Sequence, residues 1–247
     1  MPQSINDYCN TIDTDTIYWC MGDISVVSLA INWLHSCQML NIPILFVALD
    51  TEMYEAIKDI NPTVLVLKED HHVFVYKFII GQQIMNAGKN WFYTDVDCVT
   101  QTNYTHDVER LLEDNDIICQ SVKQYEWLGK PLTTHNEYNC GTGLFGMRNT
   151  QTNIDICNIS YLYDNGYRQD GTCQKFVNTT IKHRQDTRIA LLSPYKYPTG
   201  HNFNQTADWS IFHITGKYAY EDWDNTKEFL GDTAKIASLK KLGLWHI

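Results

Sequence analysis

Two aspartates separated by one residue form the strongest chemical pattern in the sequence. Asp95 and Asp97 directly follow residues 91–94, an apolar segment that we predict to be a buried strand. Side chains two residues apart lie on the same side of an extended chain, so we expect the two carboxylates to be neighbours. Such neighbours repel each other unless a shared proton or a cation intervenes. A hard divalent cation bound here keeps open positions for diphosphate oxygens. The alternative is a polar turn with solvated acids.

A second pattern, over residues 212–217, combines groups that suit a metal ion and a phosphate. A neutral imidazole such as that of His213 can ligate a divalent metal. Gly216 lets the backbone approach a phosphate closely, and Lys217 offers it a compact positive charge. We therefore expect His213 to join the two aspartates in one site. The alternative is a structural histidine beside an apolar pair.

Two further segments contain residues that suit a ligand site. Residues 139–148 include three glycines, which indicate a backbone held close to a ligand or to a neighbouring strand. A β-bulge is the alternative for this segment. Residues 168–174 include Asp170, which either caps the following helix or acts on a substrate hydroxyl.

The first half of the chain alternates apolar runs of strand length with amphipathic runs of helix length. The predicted strands cover residues 16–21, 44–49, 64–67 and 91–94, and the predicted helices cover 25–40, 52–59 and 73–87. This rhythm predicts an α/β fold with right-handed crossovers and a mostly parallel sheet. Ligands of such sheets bind beyond the carboxyl ends of the strands, where Asp23, Asp50 and Asp95 stand. Helix capping is the alternative role for Asp23 and Asp50.

The second half of the chain has a less regular pattern. We predict helices over 108–113, 154–163 and 175–181, strands over 116–120, 144–147 and 189–192, and an aromatic-rich loop over 124–138. The sequence contains no internal repeat, low-complexity tract or linker. We therefore expect residues 1–247 to form a single domain.

Composition and charge argue against several classes of function. The formal net charge is -10 and no cluster of Lys and Arg occurs, so we expect no nucleic-acid partner. No apolar run approaches the roughly 20 residues of a spanning helix, and the first residues lack the pattern of a signal peptide. The eight cysteines are scattered without a C-x-x-C pair, which favours reduced thiols. We expect a soluble, cytoplasmic protein.

Taken in order, these segments resemble GT-A-fold glycosyltransferases of the nucleotide-diphospho-sugar transferase type, related to the glycogenin-like and α-galactosyl/xylosyl-transferase groups. The resemblance extends from about residue 17 to about residue 222. It implies a Rossmann-like α/β domain with a mostly parallel central sheet and a smaller mixed sheet on the acceptor side. It also implies a nucleotide-binding half over about 16–120, a sugar and acceptor half over about 121–222, and a C-terminal tail.

The resemblance assigns the metal and the catalytic acid to particular residues. Asp95 and Asp97 match the metal-binding D-x-D, and His213 completes the shell around Mn²⁺ or Mg²⁺. Asp170, with Phe176 and Asn178 further along, matches an acid-containing helix start and is the candidate catalytic residue.

The resemblance also assigns residues to the donor. Asn139, Gly141 and Arg148 match a segment that lines the sugar site, Lys77 would reach the nucleotide, and residues 20–23 would flank the base. The complete set of implied nucleotide-sugar contacts is Asp23, Lys77, Asp95, Asn139, Gly141, Gly216 and Lys217.

We therefore expect a metal-dependent transfer of a sugar from a nucleotide diphosphate, with UDP as the expected nucleotide, to a hydroxyl of a glycan or protein-linked acceptor. Lys217 would assist the metal in stabilising the leaving diphosphate, and Asp170 would be the base of an inverting reaction. The stereochemistry stays open. One alternative is a sugar-1-phosphate nucleotidyltransferase, which needs a basic loop that residues 21–25 lack. The other is a non-catalytic carbohydrate-binding protein, in which Asp95, Asp97 and His213 would have no role.

Overall fold

The computed structural model describes residues 2, 4–68, 71–123, 138–165, 167, 173–200, 203–215 and 231–247. Within these residues, seven strands form a central sheet and two short strands form a second one. The central strands are β1 (Thr16–Gly22), β2 (Leu45–Ala48), β3 (Thr63–Leu65), β4 (Asn90–Thr94), β6 (Ile117–Lys123), β7 (Tyr138–Met147) and β8 (Ile189–Leu192). The short pair is β5 (Cys98–Thr100) and β9 (Ile211–His213).

Helices connect and cover these strands. They are α1 (Ile5–Thr11), α2 (Val27–Gln38), α3 (Thr51–Ile57), α4 (Tyr76–Asn86), α5 (Thr105–Asp114), α6 (Gln151–Ile156), α7 (Ile159–Asp164), α8 (Cys173–Thr179) and α9 (Gly231–Leu242). Short 3₁₀ turns over Ile24–Val26, Val73–Val75 and Ile181–His183 complete the described elements. None of the helices in these ranges has the length and apolar character that a membrane crossing demands.

The central sheet has the order β3-β2-β1-β4-β7-β6-β8. The pairs among β3, β2, β1 and β4 are parallel, as is the pair of β6 with β8. Strand β7 is antiparallel to both β4 and β6. The prediction of an α/β domain with a mostly parallel sheet is confirmed, and the second sheet consists of one antiparallel pair.

The apolar core lies on both faces of the central sheet. Successive residues of β1 alternate between the two faces: Trp19 packs in the cluster that holds Phe78 of α4, and Tyr18 packs in the one that holds Trp33 of α2. All seven residues of β1 are buried. Strands covered on both faces read as continuous apolar runs, which explains why the sequence predicted β1, β2 and β4 well.

Several predicted boundaries differ from the structure. The helices expected over 25–40 and 73–87 each begin with a 3₁₀ turn. The helix expected over 154–163 is divided into α6 and α7, because Asn158 caps α7 by accepting a hydrogen bond from the backbone of Ser160. Strand β7 starts at Tyr138 rather than at residue 144. The sequence pattern did not predict α1, β5, β9 or α9.

Candidate metal centre

Asp95, Asp97 and His213 meet beyond the carboxyl end of β4. One ligand atom from each side chain can be chosen so that all of these atoms lie within 4.8 Å of one another. The Nε2 atom of His213 is 3.2 Å from Oδ1 of Asp97 and 3.6 Å from Oδ2 of Asp95. The predicted grouping of these three residues is therefore present in the structure.

The short second sheet brings His213 to the aspartates. Cys98, the residue after Asp97, lies opposite His213 in the antiparallel pair of β5 and β9. The backbone N–H of Ile214 donates to the carbonyl oxygen of Asp97 at 2.9 Å, which ties the two segments together. A separation of more than a hundred residues in sequence is thus closed by a ladder of three residue pairs.

A lysine holds one oxygen of each carboxylate. Lys77 of α4 donates to Oδ1 of Asp95 at 2.9 Å, and Lys235 of α9 donates to Oδ2 of Asp97 at 2.8 Å. The other oxygen of each carboxylate is the one that lies near Nε2 of His213. The two ion pairs therefore select which carboxylate oxygens face the imidazole.

Electrostatics keep the Asp97 carboxylate ionised. Burial alone would raise its pKa, but His213 and Lys235 outweigh burial and hold the pKa of Asp97 well below its usual range. Burial likewise disfavours the charged form of Lys77, yet Asp95 outweighs this effect and raises the pKa of Lys77. Asp97 therefore offers charged oxygen atoms to a cation even though the residue is only 9% exposed.

An irregularity in the pairing of β6 with β7 shapes the floor of the site. Cys119 lies opposite Phe145, but the next residue, Gln120, lies opposite Gly141. Residues 142–144 of β7 therefore have no partners on β6. The carbonyl oxygen of Thr142 accepts from Lys77 at 2.8 Å, and that of Gly143 accepts from the backbone N–H of Asp95 at 2.7 Å. The glycine-rich segment therefore contains an irregularity of the β-bulge kind, and the residues of that irregularity also contact the site.

Gly143 provides space for the imidazole. A Cβ atom at this position would lie 2.5 Å from Nδ1 of His213, closer still to Cε1, and 2.9 Å from Oδ2 of Asp95. Both distances are below those that real Cβ atoms show. Glycine at position 143 is therefore a condition for the observed placement of His213.

The neighbouring strand ends hold Asp23 and Asp50 in capping roles. Asp23 accepts from the backbone of Ser25 and forms an ion pair with Lys68. Asp50 caps α3 by accepting from Met53 at 2.7 Å, and it also accepts from the backbone of Ile24. Both residues therefore cap helices, which is the alternative role that the sequence left open. A contact of Asp23 with a nucleotide stays a prediction.

The glycine-rich strand brings only part of its predicted residues towards the cluster. Asn139 and Gly141 lie on β7 opposite Val122 and Gln120, on the site side of the irregularity. Arg148 follows the opposite end of β7, five residues beyond Gly143, or about 17 Å along an extended strand. There it forms an ion pair with Asp116 and lines a cavity at the other edge of the sheet. The structure does not place Arg148 where the resemblance implied.

Some predicted residues lie outside the described ranges. They are Asp170, Gly216, Lys217 and the aromatic-rich loop over 124–137. Asn178, which the resemblance associates with Asp170, is described: its side chain bonds to both the N–H and the carbonyl oxygen of Cys140. Asn178 therefore holds the start of β7 rather than facing the carboxylates.

A family model supplies the decisive comparison. The model for nucleotide-diphospho-sugar transferases matches residues 42–220, which is most of the chain and includes Asp95, Asp97 and His213. The chain belongs to this family. The predicted glycosyltransferase class is thereby confirmed. No curated protein matches the sequence of this transferase.

Solved structures agree with this assignment at the level of the fold. The galactosyltransferase LgtC, solved with donor and acceptor sugar analogs, superimposes with a TM-score of 0.59 at 10% identity, and the match covers 94% of this chain and 96% of that one. The glycosyltransferase GlyE of Streptococcus pneumoniae TIGR4 gives a TM-score of 0.59 at 13% identity, covering 94% of this chain and 61% of that one.

A third similar structure belongs to another class of enzyme. The 4-diphosphocytidyl-2C-methyl-D-erythritol synthase of Anaerococcus prevotii gives a TM-score of 0.56 at 9% identity, covering 92% of this chain and 98% of that one. At such identities the likeness establishes the fold alone. The transferase assignment therefore depends on the family model.

The ligand atoms of Asp95, Asp97 and His213 in the transferase site suit a divalent cation. Two carboxylate oxygens and one imidazole nitrogen converge, and the opposite oxygens of the carboxylates are already held by lysines. Hard divalent ions prefer oxygen ligands, and an imidazole nitrogen is accepted more readily by transition metals. The residues present therefore fit a divalent ion.

Two residues that contact the predicted metal ligands, Lys235 and Gln120, were not predicted from the sequence. Lys235 lies in the segment expected to be a C-terminal tail, and nothing in the sequence distinguishes it from Lys240 and Lys241 of the same helix. Oε1 of Gln120 accepts a hydrogen bond from Nδ1 of His213 at 3.0 Å. Its only signal was a polar residue following the buried run of residues 117–119.

Proposed function

We propose that this transferase moves a sugar from a nucleotide diphosphate, with UDP as the expected nucleotide, to a hydroxyl of a glycan or protein-linked acceptor. The observation that carries the proposal is the convergence of Asp95, Asp97 and His213 in a member of the nucleotide-diphospho-sugar transferase family. Mn²⁺ or Mg²⁺ is the proposed cofactor, held by these three residues. The imidazole in the ligand set favours Mn²⁺.

A divalent ion in this position would neutralise the charge that develops on the leaving nucleotide diphosphate. The protein prepares the position in advance. Lys77 and Lys235 each fix one carboxylate oxygen, so that the free oxygens of Asp95 and Asp97 face the imidazole before any ligand arrives. Less reorganisation is then required when the donor binds.

The remaining donor contacts are proposals taken from the family resemblance. The end of the sheet that holds the carboxylates also holds Asp23, Asn139 and Gly141, which lie at or near the ends of β1 and β7. Gly216 and Lys217 follow β9 closely in sequence, so they belong to the same part of the chain as His213. Lys217 is the proposed partner of the diphosphate.

Asp170 is the proposed residue on the acceptor side. In an inverting reaction it would accept the proton of the acceptor hydroxyl as the sugar is transferred. In a retaining reaction it would orient the acceptor or the sugar hydroxyls instead. The aromatic-rich loop over 124–138 is the proposed acceptor platform, because sugar rings pack against aromatic faces.

Release of nucleotide diphosphate from a panel of nucleotide sugars with Mn²⁺ tests the proposal. We expect turnover with at least one donor, abolished by EDTA and by Asp97→Ala. Asp116→Ala is the matched control: its side chain is 14% exposed against 12% for Asp97, it is also ion-paired, and it lies at the opposite edge of the sheet.

Three results would contradict the proposal. Near-native turnover of Asp97→Ala in metal-depleted buffer would show that the site is misplaced. Formation of a nucleotide sugar from a nucleoside triphosphate and a sugar 1-phosphate would instead assign the nucleotidyltransferase activity. Donor binding without turnover across acceptors would favour a carbohydrate-binding protein.

A further inference from the structure

Gln120 is a buried polar residue that follows three apolar residues of strand β6. It lies on β6, where Ile117, Ile118 and Cys119 precede it, and its side chain is only 1% exposed. A buried amide is costly unless its donors and acceptor are satisfied. Its hydrogen bonds therefore indicate what the residue does.

The contacts of Gln120 determine the orientation of its amide. Nε2 lies 3.2 Å from the carbonyl oxygen of Tyr197 and 3.4 Å from that of Pro198. Only the nitrogen of the amide can donate to these carbonyl oxygens. The carbonyl oxygen of the side chain, Oε1, is then the atom that lies 3.0 Å from Nδ1 of His213.

This orientation places a proton on Nδ1 of His213. An amide oxygen only accepts, so Nδ1 must donate to it. A neutral imidazole has one N–H, and with that N–H at Nδ1 the lone pair at Nε2 is available to a metal. Nε2 is also the atom that lies nearest to Asp95 and Asp97.

We propose that Gln120 is the positioning residue of the metal centre: it holds His213 in the tautomer and ring orientation that present Nε2 to the cation. This inference rests on the metal site of the proposed function. Partners of this kind, which bond to the second nitrogen of a metal-binding histidine, orient the ring and raise its affinity for the metal.

The surroundings of Gln120 support this role. The pairing of β6 with β7 changes register between Cys119 and Gln120, at the place where Gly143 makes room for the imidazole. The segment that accepts from the Gln120 amide also holds the histidine backbone, since the N–H of His213 donates to Pro198 at 3.1 Å. Gln120 thus connects three segments that fix one ring.

The test compares Gln120→Leu with the unaltered protein by two measurements. The affinity for Mn²⁺ alone is measured by electron paramagnetic resonance, and the tautomer of His213 by ¹⁵N NMR of the metal-free protein at a pH where its ring is neutral. We expect Mn²⁺ affinity to fall about 10- to 100-fold. We also expect the proton to leave Nδ1 for Nε2, a change that a merely structural role would not produce.

Asn153→Leu is the matched control. Asn153 is fully buried, and its amide nitrogen also donates to two backbone carbonyls, those of Asp116 and Arg148, at the opposite edge of the sheet. This variant should lose stability without changing the Mn²⁺ affinity or the His213 spectrum. Gln120→Glu restores an acceptor for Nδ1 and should keep the proton there; it decides the question if Gln120→Leu does not fold.

The outcomes separate this inference from the proposed function. Native Mn²⁺ affinity and an Nδ1–H ring in Gln120→Leu, or an Nε2–H ring in Gln120→Glu, would overturn the role of Gln120. Failure of the unaltered protein to bind Mn²⁺ would instead overturn the proposed function, while the ring spectrum would still decide whether Gln120 sets the tautomer.

Discussion

Gly143→Ala places one methyl group directly against the imidazole of His213. The φ angle of Gly143 lies outside the left-handed region, so the backbone itself accepts alanine. The new Cβ would lie 2.5 Å from Nδ1 of His213, whereas carbon and nitrogen atoms in contact are separated by about 3.5 Å. The ring must therefore move by roughly 1 Å, or β7 must move away from it.

A displacement of this size is large for a metal ligand, because ligand distances are held within about 0.2 Å. We expect Gly143→Ala to bind Mn²⁺ at least about tenfold more weakly, which corresponds to about 1.4 kcal/mol. Overpacking should also lower the free energy of unfolding by about 1–3 kcal/mol. Isothermal titration with Mn²⁺ and urea unfolding measure the two effects separately.

Gly146→Ala is the control for overpacking alone. It lies on the same strand, and its Cβ would meet Ile118, Phe92 and the carbonyl oxygen of Trp91 at 3.0 Å, away from His213. We expect this variant to lose stability but not Mn²⁺ affinity. Equal Mn²⁺ affinities for Gly143→Ala and Gly146→Ala would refute the argument that glycine at position 143 makes room for a metal ligand.

Three further predictions test other parts of the account. His213→Ala should bind Mn²⁺ more weakly, and excess Mn²⁺ should restore part of its turnover. Lys217→Ala should weaken binding of the sugar donor by roughly 1.5–3 kcal/mol, about ten- to a hundredfold, and excess Mn²⁺ should not restore it. Donor titrations at two Mn²⁺ concentrations test this, and rescue of Lys217→Ala but not of His213→Ala would contradict it. Burial opposes ionisation of Asp116, but the N–H of Arg188 and the charge of Arg148 outweigh it and lower its pKa, so the stabilisation is fully present above the unfolded pKa of about 3.9 and is lost as the pH falls through the lower folded pKa. Asp116→Asn should therefore be less stable than the native protein at pH 6, and the difference should shrink as the pH falls below about 3.9. A difference in unfolding free energy that does not change with pH would contradict this. All eight cysteines should be free thiols, consistent with their unpaired, buried state, and mass spectrometry showing disulfides in protein from its native source would contradict the cytoplasmic prediction.

The features that local sequence determines were predictable. Strands β1, β2 and β4 are buried on both faces, so each reads as an apolar run, and the helices between them show the expected periodicity. The paired acids Asp95 and Asp97 directly follow β4, and ligands of such sheets bind beyond the carboxyl ends of the strands, so these acids were predictable as site residues. Two of the three proposed metal ligands could therefore be predicted from residues 91–97 alone.

The features that depend on distant contacts were harder to predict. Strand β9 has three residues and exists because it pairs with β5, more than a hundred residues earlier. Helix α9 shows little amphipathic pattern, so nothing in its sequence indicates that Lys235 returns to Asp97. The role of Gln120 depends on the irregular pairing of β6 with β7. For Arg148 the resemblance implied a place in the sugar site because the residue is close in sequence to Asn139 and Gly141. Strand β7 is ten residues long, so Arg148 lies at its other end, away from the site.

The position of the cation is the most direct test of the central claim. Crystals grown with UDP and Mn²⁺, with diffraction recorded at the manganese absorption edge, would locate it without assumptions about activity. We expect one strong anomalous peak within bonding distance of Asp95, Asp97 and Nε2 of His213, with the diphosphate on its open side. A nucleotide bound without manganese at these three residues, or a manganese peak elsewhere on the protein, would contradict it.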